Sequence, residues 1–493
     1  ELLMQRKKIV ILGSGFSSLA AAAYLAKAGF GVTILEKNKE IGGRARQLVR
    51  DGFVFDMGPS FYWMPDVFSS FFGDFGKKVE DVYDLKRLDP GYRVYFGEHD
   101  YIDNHADFEK LKQTFEQLET GGGRNLQKFI DKAGKNYDIA IKDLVYKPAL
   151  NIFEIVTRDT IFKLNEFVST ISRQVRAGIR HQRLRTILEF PVLFLGSKPS
   201  NTPAFYNFMN FADIKLGTWH PMGGMFAVVK AMEALTNELG VEILTGHAVN
   251  ELVVKNRKVV AARTDHGDFN CDVLLSGADY HHTETLLPQS LRQYSEGYWD
   301  SRTFAPSALM YYVGFNKKLV NLEHHTLFFE PSFDKHAESI YDNKKWPVDP
   351  LFYASFPSKT DPGCAPEGKE AAVFLIPIAP GLKHDDQKTR TKYLDIIIER
   401  IERNTGQSVK DEILFSESFS VSDFVNDYNS YKGNAYGLAN ILLQTHILRP
   451  RLKSKKLDNL YFTGQLTVPG PGVPPSLISG KIVSNLISDY ERS

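Results

Sequence analysis

Ile9-Val10-Ile11-Leu12-Gly13-Ser14-Gly15-Phe16-Ser17-Ser18 is an apolar run that ends in a glycine turn and leads into a helix-like stretch from Leu19 to Leu25. A second apolar run, Val32 to Leu35, closes on Glu36. Strand, glycine turn, helix, strand and terminal acid form the layout that holds the ADP half of a dinucleotide. Gly13 permits the tight turn, and Gly15 lets the backbone approach a pyrophosphate with no side chain in the way. The helix that starts near Gly15 points its amides at the phosphate charge. Glu36 is placed to accept hydrogen bonds from a ribose diol, and its negative charge argues against a 2′-phosphate. Ser18 stands where a third glycine commonly lets helix and strand pack closely; serine is small enough to be tolerated there. The nucleotide-contacting candidates in this stretch are Gly13, Ser14, Gly15, Phe16, Ser17, Ser18, Glu36 and Lys37.

The next segments choose between cofactors. Ile41-Gly42-Gly43-Arg44-Ala45-Arg46 follows the acid, and Phe55-Asp56-Met57-Gly58-Pro59-Ser60 comes shortly after. Two glycines and an arginine suit a second approach of backbone and guanidinium to a pyrophosphate, which a flavin dinucleotide offers and which Arg contacts with a fork of donors. A nicotinamide enzyme has no need of this segment. FAD is the expected cofactor.

Composition sets the outer limits. At 493 residues the chain exceeds what one core supports, so two or more domains are expected. A hydrophobic share of 43% with 24% charged residues is that of a soluble globular protein, and no run of eighteen apolar residues offers a membrane-spanning helix. The formal net charge of +1 and the lack of a basic tract interleaved with aromatics argue against nucleic acid as a partner. Cys271 and Cys364 are far apart and lack metal-ligand spacing, which fits a reducing cytosol and predicts neither a disulfide framework nor a metal site. Glu1-Leu2-Leu3 ahead of Met4 has no feature of a secretory signal. A cytoplasmic location is expected.

The dinucleotide features recur in three separated blocks, which predicts a discontinuous Rossmann-like domain, α/β in class, interrupted by α+β insertions. The first block holds the motifs above. The second runs from Gly217-Thr218-Trp219-His220-Pro221-Met222-Gly223-Gly224 through a helix-like Ala227 to Leu239, then Val241 to Leu244 and two alternating strands, Ala248 to Lys255 and Lys258 to Asp265. Asn256-Arg257 between those strands reads as a hairpin turn, and Asp272 to Asp279 as a buried strand with a small-residue turn. The third block holds a strand and glycine turn at Leu460-Tyr461-Phe462-Thr463-Gly464-Gln465, the run Pro469-Gly470-Pro471-Gly472-Val473-Pro474-Pro475, and a helix from Ser476 to Leu486. Residues 1–75, 217–295 and 440–493 are thus expected to form the FAD domain. Residues 76–216 and 296–439 are expected to form a substrate domain with a mixed sheet and a helical, membrane-contacting part.

Within the first insertion, which reads as helical, Arg158, Lys163, Arg173, Arg176, Arg180, Arg183 and Arg185 face only Asp159 and Glu166 between Thr157 and Arg185. Ile155, Phe162, Phe167, Val168, Ile171, Val175 and Ile179 recur at near-helical spacing. Such a basic amphipathic helix suits an anionic lipid surface, where each cation adds on the order of 1 kcal/mol, and equally suits a solvated face over a core stripe. Phe190-Pro191-Val192-Leu193-Phe194-Leu195-Gly196 suits either a tunnel wall or core.

The order of these blocks and several of their strings resemble the bacterial-type phytoene desaturases, flavin-dependent carotenoid desaturases within the amine-oxidase-like flavoprotein superfamily. The resemblance spans nearly the whole chain. It rests on the G-S-G-F-S-S turn, E-K-N-K-E-I-G-G-R-A-R, F-D-M-G-P-S-F, G-T-W-H-P-M-G-G, L-L-S-G-A-D-Y-H-H-T-E and N-L-Y-F-T-G-Q-L-T-V-P-G-P-G-V-P-P. Ser18 and Gln465 depart from the usual small residues at their positions. The resemblance implies that Gly13, Gly15, Glu36, Gly43 and Arg44 hold the ADP and pyrophosphate, with Gly58, Pro59 and Ser60 near the ring. Val249 borders the adenine, and Gly464, Gln465, Gly472 and Val473 border the isoalloxazine. It implies stepwise desaturation of phytoene toward lycopene by hydride transfer to flavin and proton loss, with oxygen or a membrane quinone as electron acceptor and a peripheral membrane surface as the source of substrate. A related desaturase, ketolase or saturase on another carotenoid or retinoid, and a non-enzymatic prenyl-lipid carrier, are the alternatives. No triad, telling carboxylate pair or metal cluster is present, which suits flavin chemistry. Asp213, His220 and Asp279 lie near these motifs and read as caps or structural groups, so no catalytic base is assigned.

Overall fold

A computed structural model describes residues 6–155, 160 and 163–492. The opening apolar run forms the strand Lys8–Leu12, which pairs in parallel with Gly31–Leu35 on one side and Val273–Ser276 on the other. Glu242–Leu244 extends the sheet beyond Gly31–Leu35, and Leu460–Phe462 extends it beyond Val273–Ser276. Strands from three distant stretches therefore complete one five-stranded parallel sheet. Their near-continuous apolar runs fit a sheet covered on both faces.

Two helices pack against each other beside this sheet, Phe16–Lys27 after the glycine turn and Val473–Arg492 at the C-terminus. They cross at Gly480, where a Cβ would lie 2.6 Å from the Ser17 carbonyl oxygen and 2.8 Å from the Ala20 Cβ. The contact therefore excludes any side chain at 480. Each of these helices starts near the same end of the sheet, which is what positions the site described below. Between the sheet strands, Val249–Lys255, Lys258–Thr264 and Gly267–Asn270 form an antiparallel ribbon. Asn256 and Arg257 make its two-residue turn with φ of 47° and 61°, the double left-handed geometry that matches strand twist.

The insertions build a seven-stranded sheet in the order Ile413–Phe419, Ser307–Phe315, Glu370–Ile378, Phe352–Ser355, His325–Phe328, Tyr92–Gly97 and Asp100–Asn104. All neighbours are antiparallel except His325–Phe328 with Tyr92–Gly97. The first insertion is thus less helical than its sequence suggested. Tyr92, Val94 and Tyr95 belong to a strand because aromatic and β-branched residues pack well on a half-buried pleated surface. Helices Phe108–Leu118 and Gly122–Ile139 follow the strands.

The expected single basic helix is not formed. Thr157, Arg158, Asp159 and Phe162, and the side chains of Ile155, Leu193, Phe194 and Leu195, lie outside the described residues. The remainder folds as three short helices, Leu164–Val168, Ile171–Gly178 and Gln182–Glu189. Local chemistry sets the breaks: the Thr170 hydroxyl accepts from the Arg173 amide and starts the middle helix, which ends at Gly178. Ile171, Val175 and Ile179 are buried in the core and Arg183 pairs with Asp100, while Val168 is 77% exposed. Among the described residues no helix is long and apolar enough to cross a membrane.

Candidate active site

A continuous cavity of about 790 Å³ runs from the end of the parallel sheet to the face of the seven-stranded sheet. Its first end is built by the glycine turn. Gly13 takes φ of 83° and passes close to the backbone of Gly277 and Ala278, and Gly43, with φ of 57°, would place a Cβ 3.2 Å from the Gly15 Cα. The helix Phe16–Lys27 has no side-chain cap at its N-terminus, so its first amides are left to whatever occupies the cleft. Glu36 is buried nearby. Its carboxylate accepts from the Ser14 amide at 2.9 Å, the Ser14 hydroxyl at 2.6 Å and the Asn38 amide at 2.8 Å. A carboxylate has about four lone-pair positions, so one remains for a ligand hydroxyl.

Arg44 enters the same cavity. Its Nη2 donates to Ser430 Oγ at 3.1 Å and to the Asn434 carbonyl at 3.2 Å, and its guanidinium lies 5.1 Å from the centre of the Tyr428 ring. Among the described residues its Nε has no hydrogen-bond partner, and no carboxylate reaches it within ion-pair distance. Burial depresses its pKa, the expected response of a desolvated cation, with Asp279 and Tyr428 opposing from nearby. An anion in the cleft would supply a contact ion pair. The Gln465 amide, oriented with oxygen toward Arg44 Nη2 at 3.1 Å and nitrogen toward the Ala435 carbonyl at 3.2 Å, satisfies both of its ends. Gln465 thus braces the arginine.

The sequence candidates converge. Gly13, Ser14, Gly15, Phe16, Ser17, Glu36, Lys37, Gly43, Arg44, Gly58, Pro59, Ser60, Val249, Gly464, Gln465, Gly472 and Val473 all line the one cavity. One needs correction. Ser18 does not line it: the residue is fully buried behind the turn, and its Oγ fills the space where a Cβ on Gly277 would otherwise sit, at 1.9 Å. The close approach expected of a glycine at 18 is therefore supplied by the glycine at 277. Lys37 borders the cavity, and its ammonium is held by the Asn426 carbonyl and by Asn429 Oδ1, Asn429 lining the same cavity.

The second end of the cavity is apolar. Phe190, Phe205, Phe208, Phe329, Phe333 and Ile340 line it, so the Phe190 segment contributes to the wall as well as to the core. Among the described residues the carboxylates that line the cavity are Glu36, Asp279 and Asp427, all at the nucleotide end. His336 in the apolar end is neutral: burial lowers its pKa to about 4, its Nδ1 accepts from the Leu351 amide and its Nε2 donates to the Pro377 carbonyl. Among the described residues such an arm presents no carboxylate, and the charged side chain in its lining is Lys147. The arm fits a long hydrocarbon.

Asp213, His220 and Asp279 have structural partners. Asp279 caps the helix Tyr280–Thr285 and accepts from the Tyr431 amide. Asp213 accepts from Tyr92 and Asn104 in the interior, where burial raises its pKa to about 7. His220 lies 3.5 Å from Asp361. Two features escaped sequence reading. Asp56 reaches across 169 residues to accept from the Met225 amide at 2.9 Å and the Phe226 amide at 3.3 Å, capping the helix Met225–Glu238. The Tyr353 hydroxyl, in the cavity wall, stands 2.7 Å from both Ser60 Oγ and His325 Nδ1. Neither pairing has a local signal, because each joins residues of different segments.

Comparison with known proteins agrees with this geometry. The profile of the flavin containing amine oxidoreductases matches residues 16–488. A carotenoid 3,4-desaturase of Haloarcula japonica is 42% identical over 478 residues, 96% of each chain. A 4,4'-diapophytoene desaturase (4,4'-diaponeurosporene-forming) of Staphylococcus haemolyticus is 30% identical, covering 98% of this chain and 99% of its own. In fold, an oxidoreductase from Methanosarcina mazei superposes with a TM-score of 0.64 at 18% identity over 96% of this chain and 99% of the other. With a glycine-turn cradle and a profile match over most of its length, this chain belongs to the flavin containing amine oxidoreductase family.

Proposed function

We propose that this chain is an FAD-dependent carotenoid desaturase, with FAD in the glycine-turn end of the cavity and a polyene in the apolar end. The observation that carries the reading is one cavity with two chemistries, an uncapped helix N-terminus and an Arg44 without a contact ion pair at one end and, among the described residues, an aromatic arm without carboxylates at the other. The residues suit the cofactor. Gly13, Gly15, Gly43 and Arg44 would hold the diphosphate, the open lone pair of Glu36 a ribose hydroxyl, and Val249 would border the adenine. Gly58, Pro59, Ser60, Gly464, Gln465, Gly472 and Val473 would border the ring. When bound, the flavin supplies a two-electron acceptor for a hydride from carbon. The chain's own part is to orient an allylic C–H bond, exclude water, and offer no nucleophile that would trap a cation spread over the polyene.

The 42% relative is named for the 3,4 bond, and this favours desaturation at that position of an already conjugated carotenoid. Stepwise desaturation of phytoene toward lycopene is the second reading, supported by the resemblance of motifs and by the relative named for 4,4'-diapophytoene. Incubation of the FAD-loaded protein with lycopene or phytoene in liposomes, followed by chromatography and mass analysis, separates them. Loss of two hydrogens from lycopene alone supports the first, loss from phytoene supports the second, and unchanged polyenes in both would refute the assignment.

Substrate entry from a lipid surface, with a quinone or oxygen as final electron acceptor, belongs to the same reading. Phe153 is 78% exposed and Leu443 73%, with Leu150 and Leu442 about half exposed. They occupy two segments joined where His446 meets Glu154 at 3.5 Å, and Leu442 and His446 also line the cavity. An exposed apolar patch at the mouth of a hydrocarbon-sized cavity suits contact with lipid. A polyene that starts in lipid gains little from reburial, although each CH₂ is worth about 0.8 kcal/mol against water. Access therefore outweighs affinity.

A further inference from the structure

Removal of a hydride from an allylic carbon leaves a second problem, the proton on the neighbouring carbon. The cation formed is so acidic that a weak, neutral acceptor suffices, whereas a carboxylate beside it would bond to the carbon. Among the described residues the apolar arm has no carboxylate, and a polar group that reaches its wall beside the Gly58-Pro59-Ser60 segment is the Tyr353 hydroxyl.

We propose that Tyr353, backed by His325, is the acceptor of the proton lost from the polyene. The geometry forms a directed chain. Tyr353 Oη lies 2.7 Å from Ser60 Oγ and 2.7 Å from His325 Nδ1, and a hydroxyl has one proton to give and two lone pairs. With Tyr353 donating to Nδ1 and accepting from Ser60, one lone pair remains, with Ser355 close to the same hydroxyl and the tyrosine lining the cavity. In the step itself, the neighbouring C–H bond breaks, its electron pair forms the new C=C bond and its proton passes to Tyr353 Oη. The phenolic proton moves at the same time to His325 Nδ1. Electrons balance against the hydride already given to the two-electron acceptor, so each cycle removes two hydrogens.

The surroundings fit a transient proton carrier. His325 is fully buried on the strand His325–Phe328, stacked on Phe61 at a ring distance of 4.1 Å, and among the described residues its Nε2 has no partner. Burial, followed by the nearby His220, holds its pKa well below that of a free imidazole, so it rests neutral and releases a proton readily. Behind it the rings of His324 and His220 follow at 4.4 Å and 4.6 Å, and His220 faces Asp361 at 3.5 Å. Asp361, kept ionised by His220 and by the Gly223 and Gly363 amides, offers a negative field to a passing positive charge. His324 Nδ1 meets Thr360 Oγ1 at 2.7 Å, and Thr360 is only partly buried. Tyr353 is thereby assigned a catalytic role and His325 a positioning role.

This assignment rests on the desaturase reading, and the test separates the two. FAD-loaded protein, Tyr353→Phe and His325→Gln are compared for flavin content, melting temperature and single-turnover loss of hydrogen from lycopene or phytoene in liposomes. Turnover by the unaltered protein tests the reading, and its absence with both polyenes overturns reading and relay together. Tyr353→Phe is expected to keep its flavin and to slow turnover about a hundredfold, the lower end of general acid–base assistance. His325→Gln, which can still accept from the tyrosine hydroxyl but cannot take its proton, is expected to be equally slow, whereas a structural role would leave it near full rate. Rates within threefold of the unaltered protein for either variant overturn the relay alone. Should a variant lose its fold, the unaltered protein decides: single turnover must slow in deuterium oxide, and equal rates in both solvents overturn the relay.

Discussion

Asp56 stands in a motif read for its glycines, yet its titration is one the structure makes measurable. It is buried, with burial as the main cause raising its pKa to about 6, while the Met225 and Phe226 amides and His220 pull the other way. An exposed aspartate has a pKa of about 3.9. Between about pH 4 and 6 the folded protein therefore holds a proton that the unfolded chain has lost, so folding takes up a proton in that window. The group's contribution to stability is complete below about pH 4 and is lost as the pH rises through 6. On going from pH 7 to pH 5 it adds about 1 kcal/mol, since the folded-state carboxyl passes from nearly unprotonated to nearly fully protonated. Asp56→Asn keeps the shape and one accepting oxygen for the helix start but cannot titrate. Urea unfolding of both proteins at pH 5, 6 and 7 isolates this residue by difference. Relative to the Asp56→Asn variant, the unaltered protein should gain about 1 kcal/mol of stability between pH 7 and 5. Parallel pH dependences would refute the raised carboxyl, and a relative loss at pH 5 would reverse the sign of the reasoning.

Arg44→Gln removes the guanidinium fork from the cradle, so flavin affinity should fall about ten- to a hundredfold, the equivalent of about 1.5–3 kcal/mol for a hydrogen bond to a charged group; equilibrium dialysis reads it, and an unchanged constant places the diphosphate elsewhere. Gly480→Ala forces a methyl between the two helices that open on the cleft, at 2.6 Å from the Ser17 carbonyl oxygen. It should lower stability by about 1–3 kcal/mol by denaturant unfolding, and an unaltered midpoint would contradict that packing. Phe153→Asp with Leu443→Asp should reduce co-sedimentation with lipid vesicles while flavin content stays the same; full co-sedimentation would move the membrane contact to another face.

The sequence was most readable where a local pattern carries a local mechanism. The Gly13 turn, the Asn256-Arg257 hairpin and the buried strands at 273 and 460 stand as read, because each depends on residues a few positions apart. Long-range compensation was not readable. That Ser18 is tolerated because Gly277 vacates the space, or that Asp56 caps a helix 169 residues away, depends on which elements meet in the fold. The basic stretch from 163 to 185 misled for a related reason. Its apolar spacing is genuine, but Thr170 and Gly178 divide it, and Ile171, Val175 and Ile179 face the core. The exposed apolar residues Phe153 and Leu443 carry no such periodicity. The Tyr353–His325 pair was hidden because sheet register, pairing His325 with Ser355, is what brings the two side chains near each other.

The central claim is that a polyene in the apolar arm is oxidised by a flavin held in the glycine-turn cradle of the same cavity. Anaerobic mixing of FAD-loaded protein with lycopene or phytoene in liposomes tests it, by following flavin absorbance and polyene mass together. The account predicts bleaching of the oxidised flavin with one polyene losing two hydrogens for each flavin reduced. A flavin that stays oxidised while both polyenes remain intact would contradict it.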